Sequence, residues 1–184
     1  MHTSTPKSRF PSVAAELLAA EFDEWFRNLA LSKGVAPTAF TGITRNGQQV
    51  IAILNGIRWT RSELAQMPAF IHWLCQKENI SAYAFATMML LGDGGTEVNI
   101  VADDGANIVQ TLLPIVALAD DKLSYAETKT YRWKSGEHWH PYTGLMTPES
   151  SSETDADSGD DAFFESMWAE RRHNALWRER PDVS

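Results

Sequence analysis

The sequence has one cysteine, no excess of basic residues and no long apolar run, and each absence removes a class of function. Cys75 alone cannot form an intrachain disulfide or a cysteine-based zinc site, so a reducing compartment is the natural setting. The chain carries 16 basic and 24 acidic side chains, a formal charge of −8. Without a protein-wide basic field, binding to nucleic acid or to an anionic membrane is not expected.

The apolar runs are too short for a membrane protein. The longest nearly uncharged runs span residues 80–92 and 106–119, whereas a membrane-spanning helix needs roughly 20 apolar residues. Near the N-terminus, Glu16, Glu21 and Asp23 interrupt the apolar residues and leave no signal-peptide hydrophobic region. We therefore expect a cytoplasmic protein.

The acidic residues are concentrated in residues 148–161, PESSSETDADSGDD. This segment has no base and no large apolar side chain, so it cannot bury enough surface to offset the entropy cost of ordering. We interpret it as a flexible acidic linker. The other predicted units are a disordered N-terminus (1–11), a single α+β domain (12–147), and a C-terminal amphipathic helix and tail (162–184).

The first half of the domain is predicted to be a helix, a hairpin and a second helix. Ser12 can cap a helix whose apolar residues recur every three or four positions; they are Val13, Leu17, Leu18, Phe22, Trp25, Phe26 and Leu29. Asn46-Gly47 between two short apolar runs predicts a tight hairpin, with strands over 39–44 and 48–54. The capping box Thr60 to Glu63 begins the second helix, which kinks near Met67 or restarts with Pro68 in its first turn.

The second half is predicted to be a four-stranded meander over about 82–91, 96–102, 107–118 and 123–133, because only tight turns separate these runs. Pro114 in the third strand indicates a sheet edge or a bulge. The fold class is therefore α+β: a mostly antiparallel sheet of about six strands, with two helices covering one face.

One short motif indicates metal chemistry. His138 and His140 flank Trp139 and precede Pro141, and two histidines one residue apart on a strand project to the same side. With Ser152 and Asp155 downstream, the pattern resembles the His-x-His-Pro … Ser-x-x-Asp signature of JAMM-type metalloproteases. The resemblance implies zinc held by His138, His140 and Asp155, with Ser152 as an oxyanion-side donor and an upstream glutamate as the general base.

The C-terminal tail carries a large apolar load behind the linker. Acids lie at the start of the predicted helix and arginines at its end, which suits the helix dipole. The predicted partner-binding residues are Phe163, Phe164, Met167, Trp168, Leu176 and Trp177. This surface either folds back on its own domain or docks into a groove of another protein.

The sequence thus favours a non-catalytic protein–protein interaction or adaptor module that binds another protein or a second copy of itself. No cofactor is predicted for that function. Two alternatives stay open: a zinc-dependent hydrolase that uses the histidine motif, and a domain that binds a small ligand in a pocket between the helices and the sheet.

Overall fold

The computed structural model describes residues 14–33, 37–54, 67–90, 96–117, 123–125, 127–134 and 158–180. The helices in these ranges are α1 (Ala14–Lys33), α2 (Met67–Lys77) and α3 (Ser158–Arg172). The strands are β1 (Ala39–Thr44), β2 (Gln48–Ile53), β3 (Ile80–Leu90), β4 (Thr96–Asp103), β5 (Asn107–Ala117), β6 (Leu123–Tyr125), β7 (Lys129–Lys134) and β8 (Leu176–Glu179). This order confirms the predicted α+β fold and adds a strand after the C-terminal helix.

The described strands form one antiparallel sheet in the order β6-β5-β4-β3-β1-β2-β8, and β7 also pairs with β5. Two features raise the count above the predicted six. The last strand of the meander is divided into β6 and β7, which pair with successive parts of β5. In addition, β8 pairs with β2 at the opposite edge.

Pro114 lies where β5 changes its pairing partner. β7 pairs with β5 as far as Leu112, and β6 takes over from Ile115. Proline has no amide hydrogen to donate, so it fits a position between two ladders. β5 is thus an interior strand and not the edge strand that Pro114 indicates. The interruption lies in its neighbour, which is divided into β6 and β7.

The helices lie on both faces of the sheet, whereas the sequence predicted both on one face. Residues of α1 pack against Ala82, Ala84 and Ala86 of β3, while α2 and α3 pack on the face that carries Phe85. The reason is that the middle strands are apolar on both faces; in β3 the side chains towards α1 are alanines, and the larger Phe85 points towards the other helices. A sheet of this kind needs a helical layer on each side.

A local signal sets the turn between β1 and β2. Gly47 has φ 87° and its amide donates to the Thr44 carbonyl at 3.0 Å, which closes the predicted hairpin. Pro68 is the second residue of α2 as described, and residues 55–66 before it lie outside the described residues, so both the kink and the restart stay predictions. Ser12, the capping box at 60–63 and the predicted N-terminal segment 1–11 lie outside the described residues. No helix of the described ranges is long and apolar enough to cross a membrane.

Candidate functional site

The predicted partner-binding helix occupies a groove of its own domain. We call residues 158–180, which comprise α3 and β8, the C-terminal arm. The ring of Phe164 lies 5.5 Å from that of Phe70 and 6.0 Å from that of Trp73, between ring centroids. Met167 and Trp168 are buried beside it in the same apolar cluster. Of the two docking modes that the sequence left open, the structure shows the arm on its own domain.

Polar contacts fix the position of α3 along α2. The indole Nε1 of Trp168 donates to Glu78 Oε1 at 2.7 Å, and Arg172 Nε donates to the same oxygen at 2.9 Å. Lys77 and Glu165 form an ion pair at 3.0 Å. Because these contacts are directional, they hold α3 at one register in the groove.

The strand of the arm extends the sheet and meets a buried polar network. β8 pairs with residues 48–51 of β2. Gln49, which is 1% exposed, donates from Nε2 to Thr41 Oγ1 at 2.8 Å and accepts at Oε1 from Arg178 Nε at 2.7 Å. Arg180 Nη1 donates to Glu21 Oε1 at 2.6 Å and to Gln49 Oε1 at 3.3 Å. The arm therefore supplies the donors that satisfy the side-chain carbonyl of a buried glutamine.

The six predicted partner-binding residues are divided between two environments. Phe164, Met167 and Trp168 are buried within the chain, and Trp177 is half-buried beneath the Arg172 guanidinium, which lies 5.0 Å from the centre of its ring. Phe163 and Leu176 remain 42% and 57% exposed. Their role in binding a partner stays a prediction, and it falls chiefly on the exposed pair.

The boundaries of the arm differ from those predicted. α3 begins at Ser158, inside the segment assigned to the linker, and residues 148–157 lie outside the described residues. Asp161, an acidic residue of the predicted linker, lies in the first turn of α3, where a negative charge interacts favourably with the helix dipole. The sequence predicts a helix and tail over Leu176 and Trp177, whereas the structure has the strand β8 there.

One side of the domain exposes four apolar residues and an arginine, Leu17, Trp25, Ile53, Leu176 and Arg178, and we call this surface the open face. Glu21 of α1 contacts Gln49 of β2 and Arg180, which follows β8. Leu17 and Trp25 lie four residues before and after Glu21, on the same side of the helix. This side of α1 therefore faces β2 and β8. Ile53 and Leu176 lie on the same sheet face as Gln49 and Arg178, because side chains alternate along strands.

The residues of the open face are exposed because α1 covers only part of the sheet. α1 packs on β3, β4 and β5, and no helix of the described residues covers β2 and β8 on this side. Leu17 is 47% exposed, Trp25 36% and Ile53 42%. Sequence reasoning assigned Leu17 and Trp25 to the core stripe of α1. The apolar residues of α1 cover more of the helix circumference than packing on one sheet can bury, and this excess is visible in the sequence.

A cavity of about 290 Å³ opens where the arm meets the β1–β2 hairpin. Its wall includes Asn46, Gln48, Asn79, Arg172 and Trp177. This volume is near the lower limit for small-molecule sites, and the wall is polar where such sites are mostly apolar. The small-ligand alternative therefore stays a prediction.

The predicted zinc ligands His138, His140 and Asp155 lie outside the described residues. Within the ranges that the structure describes, no group of three or more His, Cys, Asp and Glu side chains is placed to hold a metal ion. The zinc alternative, too, stays a prediction.

The surroundings of Cys75 favour its thiol form. Burial, assisted by the negative charge of Asp103, raises the pKa of Cys75 to about 12. A thiol with this pKa is a poor nucleophile at neutral pH.

Comparison of the chain with protein-family models, with curated protein sequences and with solved structures finds no match, so function is inferred from the residues described above.

Proposed function

We propose that the protein is a non-catalytic protein-interaction module that binds another protein chain through the open face. One observation carries the proposal. The structure describes six large apolar side chains that are exposed, and four of them, Leu17, Trp25, Ile53 and Leu176, lie on the open face. Single exposed apolar residues are ordinary, but four on one face of a domain, around the Glu21–Arg178 ion pair, are typical of a binding surface.

The chemistry of the open face suits binding. Its apolar residues come from one helix and two strands, so the surface is built on rigid elements. Arg178 and Glu21 form a partly exposed ion pair of 3.9 Å within this face, so the face combines apolar and charged groups, as protein interfaces do. The chain also lacks a Gly-x-Ser-x-Gly nucleophile motif, and burial raises the pKa of the Cys75 thiol, which lowers its reactivity as a nucleophile. These features favour binding over catalysis.

Substitutions on and off the open face test the proposal. The tagged chain is retrieved from the cells that produce it naturally, as wild type and as Ile53→Asp. Tyr131→Asp is the matched control, because Tyr131 is equally exposed at 42% but lies on β7. We expect a stoichiometric protein, or a second copy of the chain, with wild type and the control but not with Ile53→Asp. Equal recovery with all three proteins contradicts the proposal.

The zinc-hydrolase alternative has its own measurement. Metal content of the untagged protein, purified without chelator, is compared with that of the His138→Ala, His140→Ala double variant. About one zinc per wild-type chain that disappears in the variant favours the hydrolase. Equal metal content in the two proteins removes this alternative, whatever its level.

A further inference from the structure

We infer that the cavity between the C-terminal arm and the β1–β2 hairpin binds a free α-amino acid with a polar, uncharged side chain. The cavity is separate from the open face, because Trp177 in its wall pairs with Val50, and neither shares a sheet face with Gln49 and Arg178. The inference therefore does not depend on the proposed function. The volume of about 290 Å³ suits a ligand at the small end of the range for small molecules.

A charged pair in the cavity wall has unused hydrogen-bonding atoms. Glu78 follows α2 and Arg172 ends α3, and Arg172 Nε donates to Glu78 Oε1 at 2.9 Å. Trp168 donates to the same oxygen. No hydrogen bond of the described residues uses Glu78 Oε2 or the two Nη atoms of Arg172. The Glu78 side chain is only 11% exposed, and a carboxylate oxygen this buried is stabilised by a donor, which a ligand in the cavity can supply.

The guanidinium of Arg172 is held beside the cavity. Its carbon lies 5.0 Å from the centre of the Trp177 ring, which also lines the cavity, and its Nε is fixed on Glu78. The two Nη atoms remain for a carboxylate, which a guanidinium binds through two parallel hydrogen bonds. Because Arg172 and Glu78 are in contact, the free nitrogens of one and the free oxygen of the other lie side by side.

These two charges select the ligand. Glu78 is the acid of the wall and Arg172 is its base, so a simple anion is repelled by the first and a simple cation by the second. A molecule with an ammonium and a carboxylate group on one carbon satisfies both. Its ammonium donates to Glu78 Oε2, and its carboxylate accepts from the Nη atoms of Arg172. This pairing is that of a free α-amino acid.

The amides of the wall indicate the side chain of the ligand. Asn46 accepts from Thr44 at Oδ1, and Gln48 donates from Nε2 to Glu179 at 3.1 Å. The amide nitrogen of Asn46 and the amide oxygen of Gln48 are thus left to donate to and accept from a ligand. A side chain that both donates and accepts, without a charge, matches them. L-Serine, L-threonine, L-asparagine and L-glutamine have such side chains.

The first experiment measures the thermal unfolding of the full chain by tryptophan fluorescence, with each of these four amino acids at about 10 mM, because a ligand of the folded state raises the unfolding midpoint. We expect at least one of them to raise the midpoint by about 2 °C or more. The matched probes are the N-acetyl and carboxamide derivatives of that amino acid. The first lacks the ammonium group for Glu78 and the second lacks the carboxylate for Arg172, so each should raise the midpoint less.

Substitutions then assign the two contacts, with the dissociation constant of the same amino acid measured by titration calorimetry. Glu78→Gln and Arg172→Gln should each weaken binding at least about tenfold, because each removes a charge-assisted hydrogen bond. Lys77→Gln is the matched control, since it removes the ion pair with Glu165 between the same two helices but lies outside the cavity wall. It should bind like the wild type. Arg172→Gln should also bind the amino acid and its carboxamide equally, which a loss of stability alone would not produce. Unchanged far-UV circular dichroism shows that each variant is folded.

Three results overturn the inference: an unfolding midpoint that none of the four amino acids raises, a derivative that raises it as much as the amino acid does, or binding that neither Glu78→Gln nor Arg172→Gln weakens. None of these measurements involves the open face, so the proposed function is tested separately.

Discussion

Replacement of Trp168 by alanine tests whether the C-terminal arm belongs to the folded domain. Trp168 is 1% exposed, packs in the cluster under α2 and donates its indole hydrogen to Glu78. Truncating a buried tryptophan costs about 3 to 5 kcal/mol, out of a total stability of about 5 to 15 kcal/mol for a domain. Glu78 keeps Arg172 as a donor, so the loss comes mainly from the missing apolar contacts.

The assay is urea unfolding followed by far-UV circular dichroism, in which the midpoint reports stability and the slope reports the surface exposed on unfolding. The matched control is Phe163→Ala, earlier on the same helix, where the side chain is 42% exposed. We expect the control to lose no more than about 0.5 kcal/mol. An intermediate variant, Trp168→Phe, removes the hydrogen bond to Glu78 but keeps most of the apolar surface. It should lose about 1 to 2 kcal/mol.

The result that refutes this reasoning is a Trp168→Ala variant as stable as Phe163→Ala. It would mean that the arm does not occupy its groove in solution and that its apolar residues are free for another protein. That outcome would return the partner-binding prediction to Phe164, Met167 and Trp168.

Three further predictions concern other parts of the molecule. Arg180→Ala should lower the free energy of unfolding by about 1 to 2 kcal/mol, because it removes a buried donor from Glu21, although Glu21 is partly solvated; an unchanged urea midpoint would contradict this. Alkylation of Cys75 by iodoacetamide should be slow at pH 8 and should accelerate with every pH unit to pH 10, and a plateau near pH 8.5 would show an ordinary thiol. A hydrogen bond from Arg132 and its positive charge hold the pKa of the Glu16 carboxyl below its ordinary value. The pair therefore stabilises the folded protein at pH values above the pKa of this carboxyl in the unfolded chain. That stabilisation is lost as the pH falls through the lower pKa of the folded protein. Glu16→Gln should therefore unfold at a lower temperature than wild type at pH 7 and at the same temperature near pH 2, and a difference independent of pH would contradict this.

The fold was predictable where local chemistry decides the structure. Asn46-Gly47 is sufficient for the hairpin between β1 and β2. The alternation of small and large apolar residues in β3, such as Ala84 and Phe85, is also visible in the sequence. Apolar residues on both sides of one strand imply that both faces of the sheet are covered. The placement of the helices on opposite faces follows from that alternation and not from any local signal.

The arm was only partly predictable because its structure depends on tertiary contacts. The four residues of β8 follow a helix and are too few for a strand signal of their own. They become a strand because β2 offers an edge and because Arg178 and Arg180, two residues apart, reach the same face and meet Gln49 and Glu21. In the sequence, the two-residue spacing of Arg178 and Arg180 is the feature that indicates a strand at this position.

The arm and the open face are coupled, because β8 supplies Leu176 and Arg178 to that face. β8 is held on β2 by strand pairing and by Arg178 and Arg180, and α3, which precedes it in the chain, is held in its groove by Trp168 and the contacts with Glu78. Because β8 has only four residues, we expect the loss of the α3 contacts to weaken its pairing as well. Trp168→Ala should therefore reduce the recovery of the partner that Ile53→Asp abolishes, even though Trp168 lies on the opposite side of the sheet from the open face. A variant that lost stability but recovered the partner like the wild type would show that β8 is not part of the contact.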